Sequence, residues 1–126
     1  MAGTVTVEES AFEGVCKVKF TWTSSAGGAA DLSSVYSYFG IALALVTVPA
    51  GGGAAPTDNY GVTMKDVEGY DVMQAAGLLR DTANTESAVP TTTSPAFGKI
   101  TLGVTAAGAA KGGTATLYIL GKRQPA

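Results

Sequence analysis

The amino-acid sequence predicts an all-β protein, an antiparallel β-sandwich or barrel-like domain with long Gly/Thr-rich loops. Short runs of alternating apolar and polar residues recur along the chain, which is the pattern of strands with one buried face. Stretches rich in glycine, proline and threonine separate these runs, as turns and loops do. A length of 126 residues is enough for one core, so we expect residues 1–126 to form a single β-domain.

Two strands are predicted near the start of the chain. "TVTVEE" (residues 4–9) alternates from its first residue, and "VCKVKFTWT" (residues 15–23) alternates more sharply. Lysines and threonines share one face of the second run, and its other face is formed by Cys16, Val18, Phe20 and Trp22. We therefore expect Trp22 to lie in the core. Cys16, the single cysteine, is expected to be a small core residue rather than a reactive thiol.

The middle of the chain is predicted to be a longer strand followed by a loop. Residues 35–48 are rich in β-branched and aromatic side chains, which favours a strand with a bulge or bend at Gly40. A helix starting near Asp31 is the alternative, because "IALALV" contains helix formers. The following "PAGGGAAPT" (residues 49–57) predicts a flexible surface loop. It lacks the lysine and the helix start that a phosphate-binding glycine loop requires.

An acidic stretch, "NYGVTMKDVEGYDVM" (residues 59–73), is interpreted as a β-hairpin. Its first part alternates, "DVEG" has the residue types of a turn, and "YDVM" is expected to form the returning strand. Asp66, Glu68 and Asp71 surround the end of this hairpin. Their spacing does not match an EF-hand loop, which places glycine sixth and glutamate twelfth. We therefore expect turn chemistry here rather than a metal site or a pair of catalytic carboxylates.

Residues 74–98 show no clear period and are predicted to lie outside the sheet, with one helical turn around residues 74–80. The apolar side chains of this segment would be awkward in water. Either they fold back on the core or a neighbouring chain covers them, and the sequence leaves both interpretations open. The candidate interface residues of the segment are Leu78, Leu79, Arg80, Val89 and Pro90.

Two further strands are predicted near the end of the chain. "KITLGVT" (residues 99–105) and "TATLYIL" (residues 114–120) both alternate, and "AAGAAKGG" between them supplies a turn. In the second of these runs Tyr118 and Leu120 lie on the face opposite to Leu117. Because both faces carry large side chains, we expect this strand to be covered on both sides.

Composition argues for a structural protein and against an enzyme. Charged residues make up only 14% of the chain, against about 25% in a typical protein, so much of the surface is neutral and suited to burial against other subunits. A net charge of −2 gives no basic footprint for nucleic acid. The sequence contains no histidine, so the commonest general base and metal ligand is missing. We expect no catalysis, no cofactor and no metal.

The sequence predicts neither an export signal nor a membrane span. Its start lacks a basic region followed by an apolar run, which a signal peptide would have. Its most apolar run, "GIALALVTV" (residues 40–48), has nine residues. A membrane helix needs about 20.

Three stretches of the sequence resemble small virion proteins of tailed bacteriophages. They are "PTDNYGVTMKDVEGYDVM" (residues 56–73), "GLLRDTANTE" (residues 77–86) and "GKITLGVTAAGAAKGGTATLYI" (residues 98–119). The combination of an NY-x-V-T strand with a late "LYI" strand is the most specific part. The sequence departs from the pattern at Gly61, where an aspartate is expected after the tyrosine.

The resemblance implies a β-domain built into a phage particle, with no catalytic residue. Head decoration, or cement, is the position it favours, with neck, tail or fibre components as alternatives. It implies the major capsid protein or other virion subunits as partners, a homo-oligomer with a trimer favoured, and a place in the virion after assembly in the bacterial host cytoplasm. We expect the N-terminal segment 1–9 and the C-terminal tail 121–126 to contact other subunits.

Two other functions are alternatives to this one. A carbohydrate-binding or adhesion module would stack sugars on exposed aromatic side chains, and the candidates are Trp22, Tyr36, Tyr38, Tyr60 and Tyr70. A hydrolase would need two carboxyl groups facing each other in a deep pocket.

Overall fold

The computed structural model describes residues 3–125, which form nine β-strands and one 3₁₀ turn, Gly52–Ala54. Met1, Ala2 and Ala126 lie outside the described residues. The strands are β1 Thr4–Phe12, β2 Val15–Thr23, β3 Ala30–Ser33, β4 Tyr36–Pro49, β5 Gly61–Lys65, β6 Glu86–Ala88, β7 Pro95–Gly98, β8 Thr101–Thr105 and β9 Gly112–Pro125.

These strands form two antiparallel sheets. The larger sheet has the order β1-β2-β9-β4-β6, with β7 also paired to β4, and the smaller sheet has the order β3-β8-β5. The sheets do not close into a barrel. The all-β prediction is therefore confirmed, and of its two forms the open arrangement agrees with the sandwich.

The core lies between the two sheets and contains the alternating faces that the sequence predicted. On β2 the apolar face is buried and Trp22 is only 1% exposed. The strands β4, β9, β5 and β8 also contribute large buried side chains, among them Tyr38, Leu45, Met64, Leu102, Leu117 and Ile119. Cys16 is a fully buried core residue, as expected.

The prediction that residues 35–48 form a strand rather than a helix is confirmed by β4, but the expected bulge at Gly40 is wrong. The register between β4 and β9 shifts between Ala42 and Ala44 instead. Gly40 pairs with Gly121, and a Cβ atom built on Gly40 would lie 2.1 Å from the carbonyl oxygen of Leu120. Glycine is needed at Gly40 because the two backbones approach closely, not because the strand bends there.

The hairpin predicted for residues 59–73 is half right. The turn exists, since Asp66 Oδ1 accepts a hydrogen bond from Glu68 N at 2.9 Å and Gly69 has φ +81°. The returning strand is reduced to residues 70–72: Lys65 and Asp71 make an isolated bridge, flanked by hydrogen bonds from Asp66 N to Tyr70 O at 3.0 Å and from Val72 N to Met64 O at 2.7 Å, while β5 pairs with β8 along its other edge. The Asp71 carboxylate explains this difference, because it accepts hydrogen bonds from the N–H groups of Met64, Met73 and Ala75 and so folds the chain into turns.

The segment of residues 74–98 also differs from its prediction. Successive tight turns replace the expected helical turn, and Gln74, Ala75 and Leu79 adopt left-handed backbone conformations. The rest of the segment is not wholly outside the sheet, because β6 and β7 both pair with β4. These two strands are too short for alternation to reveal them in the sequence.

The last two strands form, but they do not form a hairpin. β8 belongs to the smaller sheet and β9 to the larger one, so residues 106–111 cross between the sheets. Two strands with one apolar face each bury those faces equally well side by side or opposite each other. The sequence pattern cannot distinguish these arrangements.

The described residues of both chain ends are strands of the larger sheet. The tail is not a free end: β9 continues to Pro125, and the Arg123 guanidinium lies 4.1 Å from the centre of the Tyr36 ring. At the other end, Glu9 on β1 accepts hydrogen bonds from the N–H groups of Val35 and Tyr36. Contacts of residues 1–9 and 121–126 with other subunits stay a prediction.

Candidate functional site

An apolar band crosses the outward face of the larger sheet. The inward faces of these strands are in the core, so outward residues are the ones available to partners. The strand register aligns one outward residue from each of five adjacent strands, in the order Phe12, Val15, Leu120, Ile41 and Pro95. Four strand spacings of about 4.8 Å make this row about 19 Å long.

Further apolar side chains widen the band. Phe39 and Phe97 pair across β4 and β7, and their rings stack edge to face with centroids 4.9 Å apart. Leu43 lies where the register of β4 shifts, and Tyr118 lies two residues before Leu120 on β9. We define the apolar band as Phe12, Val15, Phe39, Ile41, Leu43, Pro95, Phe97, Tyr118 and Leu120.

Much of the band is open to solvent in the single chain. The exposed fractions are 77% for Phe12, 54% for Phe97 and 48% for Leu120. Single exposed apolar residues are normal on protein surfaces, whereas a contiguous apolar group is a candidate surface for a partner. We expected both faces of β9 to be covered. Within one chain the inner face is buried, whereas Leu120 on the outer face is exposed.

Lysines flank the band. Lys17 has Ser10 and Tyr118 as its cross-strand neighbours, and Lys122 has Phe39. Neither lysine faces a carboxylate across the strands. Among the acidic residues nearby, Glu8 lies opposite Lys19 and Glu13 lies in the turn after Phe12. Lys17 and Lys122 therefore flank the row from opposite sides, and Glu13 lines the same surface pocket as Lys17.

The structure leaves three of the five predicted interface residues exposed. The exposed fraction is 40% for Leu78, 69% for Leu79 and 65% for Val89, and Pro90 is half-buried. Arg80 has a role inside the chain: its backbone pairs with Tyr60, and its Nη1 atom lies 3.6 Å from Glu86 Oε1. The chain therefore does not cover Leu79 and Val89, and their contact with another subunit stays a prediction.

Two carboxylates, Asp58 and Asp81, lie near the strand bridge that follows the exposed leucines, and the Arg80 guanidinium donates to the Leu78 carbonyl oxygen. Asp58 Oδ1 accepts a hydrogen bond from Thr82 N at 3.2 Å, which holds it beside the strand bridge that precedes Asp81. Hydrogen bonds from Ala83 N and from Asn84 lower the pKa of the Asp81 carboxyl, so it is ionised at neutral pH. We define the acidic loop as Asp58, Leu78, Leu79 and Asp81.

Leu79 is unfavourable in two respects in the single chain. It is the most exposed leucine, and its backbone has φ +59°. A left-handed conformation costs a residue with a side chain about 1–2 kcal/mol. Such conformations persist where the surrounding structure enforces them, and they cluster at functional sites.

A third group of side chains lies deep in the core. Trp22 Nε1, Thr47 Oγ1 and Tyr60 Oη are buried and have no hydrogen-bond partner among the described residues. The rings of Trp22 and Tyr60 are 5.6 Å apart at an angle of 47°. No three histidine, cysteine or acidic residues within residues 3–125 lie close enough together to hold a metal ion. This group packs the core.

Two tyrosine-to-phenylalanine substitutions compare a hydroxyl that donates a hydrogen bond with one that makes no hydrogen bond of normal geometry. Tyr38 Oη donates to Glu9 Oε1 at 2.7 Å, so Tyr38→Phe should lower the free energy of unfolding by about 1.5–3 kcal/mol. Tyr60→Phe removes a buried hydroxyl that makes no hydrogen bond of normal geometry, although Thr47 lies close enough to lower its pKa, so the loss should be smaller than for Tyr38→Phe. Urea denaturation measures both effects. A larger loss for Tyr60→Phe would show that this hydroxyl binds a partner, such as a buried water.

Alkaline pH gives a second measurement on the same two variants. Burial raises the pKa of Tyr38 and of Tyr60, and the hydrogen bond to Glu9 raises that of Tyr38 further. Tyrosines of the unfolded chain ionise near pH 10. Since the folded-state pKa values are the higher ones, the stability that these tyrosines contribute is complete below about pH 10 and is lost as the pH rises above it. Each phenylalanine variant should show a shallower alkaline decline in melting temperature than the unmodified protein.

The aromatic platform expected for a carbohydrate-binding module is not assembled. Trp22, Tyr38 and Tyr60 are at most 1% exposed. Tyr36 lies beneath Arg123, and the Tyr70 hydroxyl is hydrogen-bonded to Ser94. The apolar band was missed by sequence reasoning, because its members come from five separate strands and meet only through the strand register.

Comparison with known proteins adds no family. No protein-family model matches the chain, and no curated protein matches it. Within residues 3–125 no helix has the length and apolar character needed to cross a membrane.

Proposed function

We propose that the protein is a non-enzymatic structural subunit of a tailed-phage particle, and that it decorates and stabilises the head as a cement protein. The observation that carries the proposal is the apolar band, which lies open across five strands of a rigid sheet. The reason for proposing a phage particle is the resemblance to small virion proteins, which is carried by residues 56–73, 77–86 and 98–119. Partners are the major capsid protein or other virion subunits.

The physical mechanism is linkage between binding and assembly. A protein that binds only the assembled shell lowers the free energy of that state, and each bound copy adds to the effect. Burial of apolar surface supplies about 25 cal/mol per Å², and a surface with few charges loses little favourable hydration when it is covered. An open sheet face of threonines and apolar side chains, with few charges, suits burial against other virion subunits, among them further copies of this chain.

Copy number distinguishes the head position from the alternatives. A cement protein is present in many copies, whereas a neck, tail or fibre protein is present in few. Mass spectrometry of purified particles, calibrated on the major capsid protein, measures this ratio. A few copies per particle would replace decoration with a neck, tail or fibre role, and absence from the particle would overturn the proposal.

The acidic loop allows a matched test of particle binding. Leu79→Asp places a charge on the most exposed leucine, and aspartate tolerates a left-handed backbone, so the domain should stay folded by circular dichroism. We expect this variant to show at least a tenfold lower occupancy on particles, since interface anchors contribute about 2 kcal/mol or more. Ala109→Asp, which alters an exposed alanine outside both surfaces, is the control. Equal occupancy of the two variants would remove the loop from the interface.

If the protein acts as cement, particles that lack it should also be weaker. We expect them to release their genome at a lower temperature than complete particles do, and adding the purified protein back should restore the release temperature. Identical release temperatures would show that the protein does not stabilise the head.

A further inference from the structure

We infer that copies of this chain associate head to tail, with the apolar band of one copy binding the acidic loop of the next. The inference rests on the proposed function, because it names the self-contact through which such a subunit would be arranged on the particle. A contact between two different surfaces of identical chains repeats from copy to copy and closes into a ring when the rotation permits.

Charge complementarity is the first argument. Segment 56–86 contains six acidic and two basic residues, a net charge of −4, whereas the remaining chain contains four acidic and six basic residues, a net charge of +2. The negative segment includes the acidic loop, and the positive remainder includes the lysines beside the band. A contact between the loop and the band would put Asp58 and Asp81 in the same interface as Lys17 and Lys122.

The same charges disfavour a symmetric contact between two bands. Placing band on band would bring Lys17 and Lys122 of one copy towards the same lysines of the other. Of the acidic residues on that face, Glu8 already lies opposite Lys19, and Glu13 lies at the edge. Like charges at an interface are unfavourable, so the loop is the better partner for the band.

The size of the band agrees with a repeated contact. It is about 19 Å wide and spans about 14 Å along the strands, or about 270 Å². A stable pair of proteins usually buries about 800 Å² on each partner. The band is therefore the apolar centre of a modest interface. In a ring each copy makes two such contacts, and closure makes the last contact intramolecular.

The backbone of Leu79 is the third argument. An exposed leucine in a left-handed conformation is costly in the single chain. Insertion of this side chain into the band would remove it from water, and the enforced backbone conformation would present it to the partner without further ordering.

A mixing experiment tests the inference on purified protein without particles. Size-exclusion chromatography with light scattering should show the unmodified chain and the Ala109→Asp control as a closed oligomer. Leu120→Asp, which blocks the band, and Leu79→Asp, which blocks the loop, should each be monomeric alone. Mixed together they should form a one-to-one dimer, because one intact band and one intact loop remain. Phe97→Ser replaces Leu120→Asp if circular dichroism shows that the latter is unfolded.

Three results would overturn the inference. The unmodified chain could be monomeric at all concentrations, Leu79→Asp alone could still form dimers through a symmetric band, or the mixture could stay monomeric. Raising the salt concentration should weaken the oligomer, since complementary charges are screened. None of these results bears on the copy number per particle or on the release temperature of particles that lack the protein, so failure of the inference and failure of the proposed function are distinguishable.

Discussion

Trp22→Ala is expected to lower the free energy of unfolding by about 3–5 kcal/mol, the usual cost of emptying a tryptophan-sized site in a core. Trp22 is 1% exposed and packs against the ring of Tyr60. Its cross-strand neighbour is Gly113, where a Cβ atom would lie only 3.1 Å from Trp22 Cζ2. Gly113 has no side chain and so leaves the space that the indole occupies. When alanine replaces tryptophan, the backbone of β9 cannot move far enough to fill that space.

Thr21→Ala is the matched control for this substitution. Thr21 precedes Trp22 on β2, points outward and is exposed, so its loss should change stability by no more than about 0.5 kcal/mol. Urea denaturation followed by circular dichroism measures both variants, because truncating Trp22 removes the fluorescence of the chain's single tryptophan. Equal, small effects would show that the inward and outward faces of β2 had been exchanged.

Prediction from sequence succeeded where one strand carries its own evidence. Alternation along β2 identifies Trp22 as buried, and β-branched and aromatic residues identify β4 as a strand, without reference to any other part of the chain. It failed where two segments had to be assigned to each other. β8 pairs with β3 and β5 rather than with β9, and residues 70–72 return along β5 only as far as the turns that the Asp71 carboxylate forms with three N–H groups in the folded chain.

The same distinction applies to the candidate surfaces, since some of their residues could be predicted from the sequence and others could not. Leu78, Leu79 and Val89 could be predicted as interface candidates from the sequence, because apolar residues in an irregular segment have no predicted core face to pack against. Arg80 was named with them, yet it pairs with Glu86 inside the chain. The apolar band could not be predicted, because Leu120 and Ile41 are 79 positions apart in the sequence and become neighbours only through the register of β4 and β9.

Glu9→Ala is expected to lower the free energy of unfolding by about 2–4 kcal/mol. Although β1 is an edge strand, this side chain points inward and accepts three hydrogen bonds. Glu9 Oε2 accepts from Val35 N at 2.9 Å, and Oε1 accepts from Tyr36 N at 3.1 Å and from Tyr38 Oη at 2.7 Å. Hydrogen bonds to a charged group contribute about 1.5–3 kcal/mol each, and water that reaches the half-buried site recovers part of that sum.

Glu8→Ala is the control, since it removes the same charge from the neighbouring position. Glu8 points outward and is exposed, so its loss should change stability by no more than about 0.5 kcal/mol. Thermal and urea denaturation of both variants measure the difference in stability between them. A large loss for Glu9→Ala with none for Glu8→Ala means that the N-terminal segment stabilises its own domain by joining β1 to the start of β4. Equal and small losses would instead leave Glu9 free to contact another subunit, as the sequence suggested for residues 1–9.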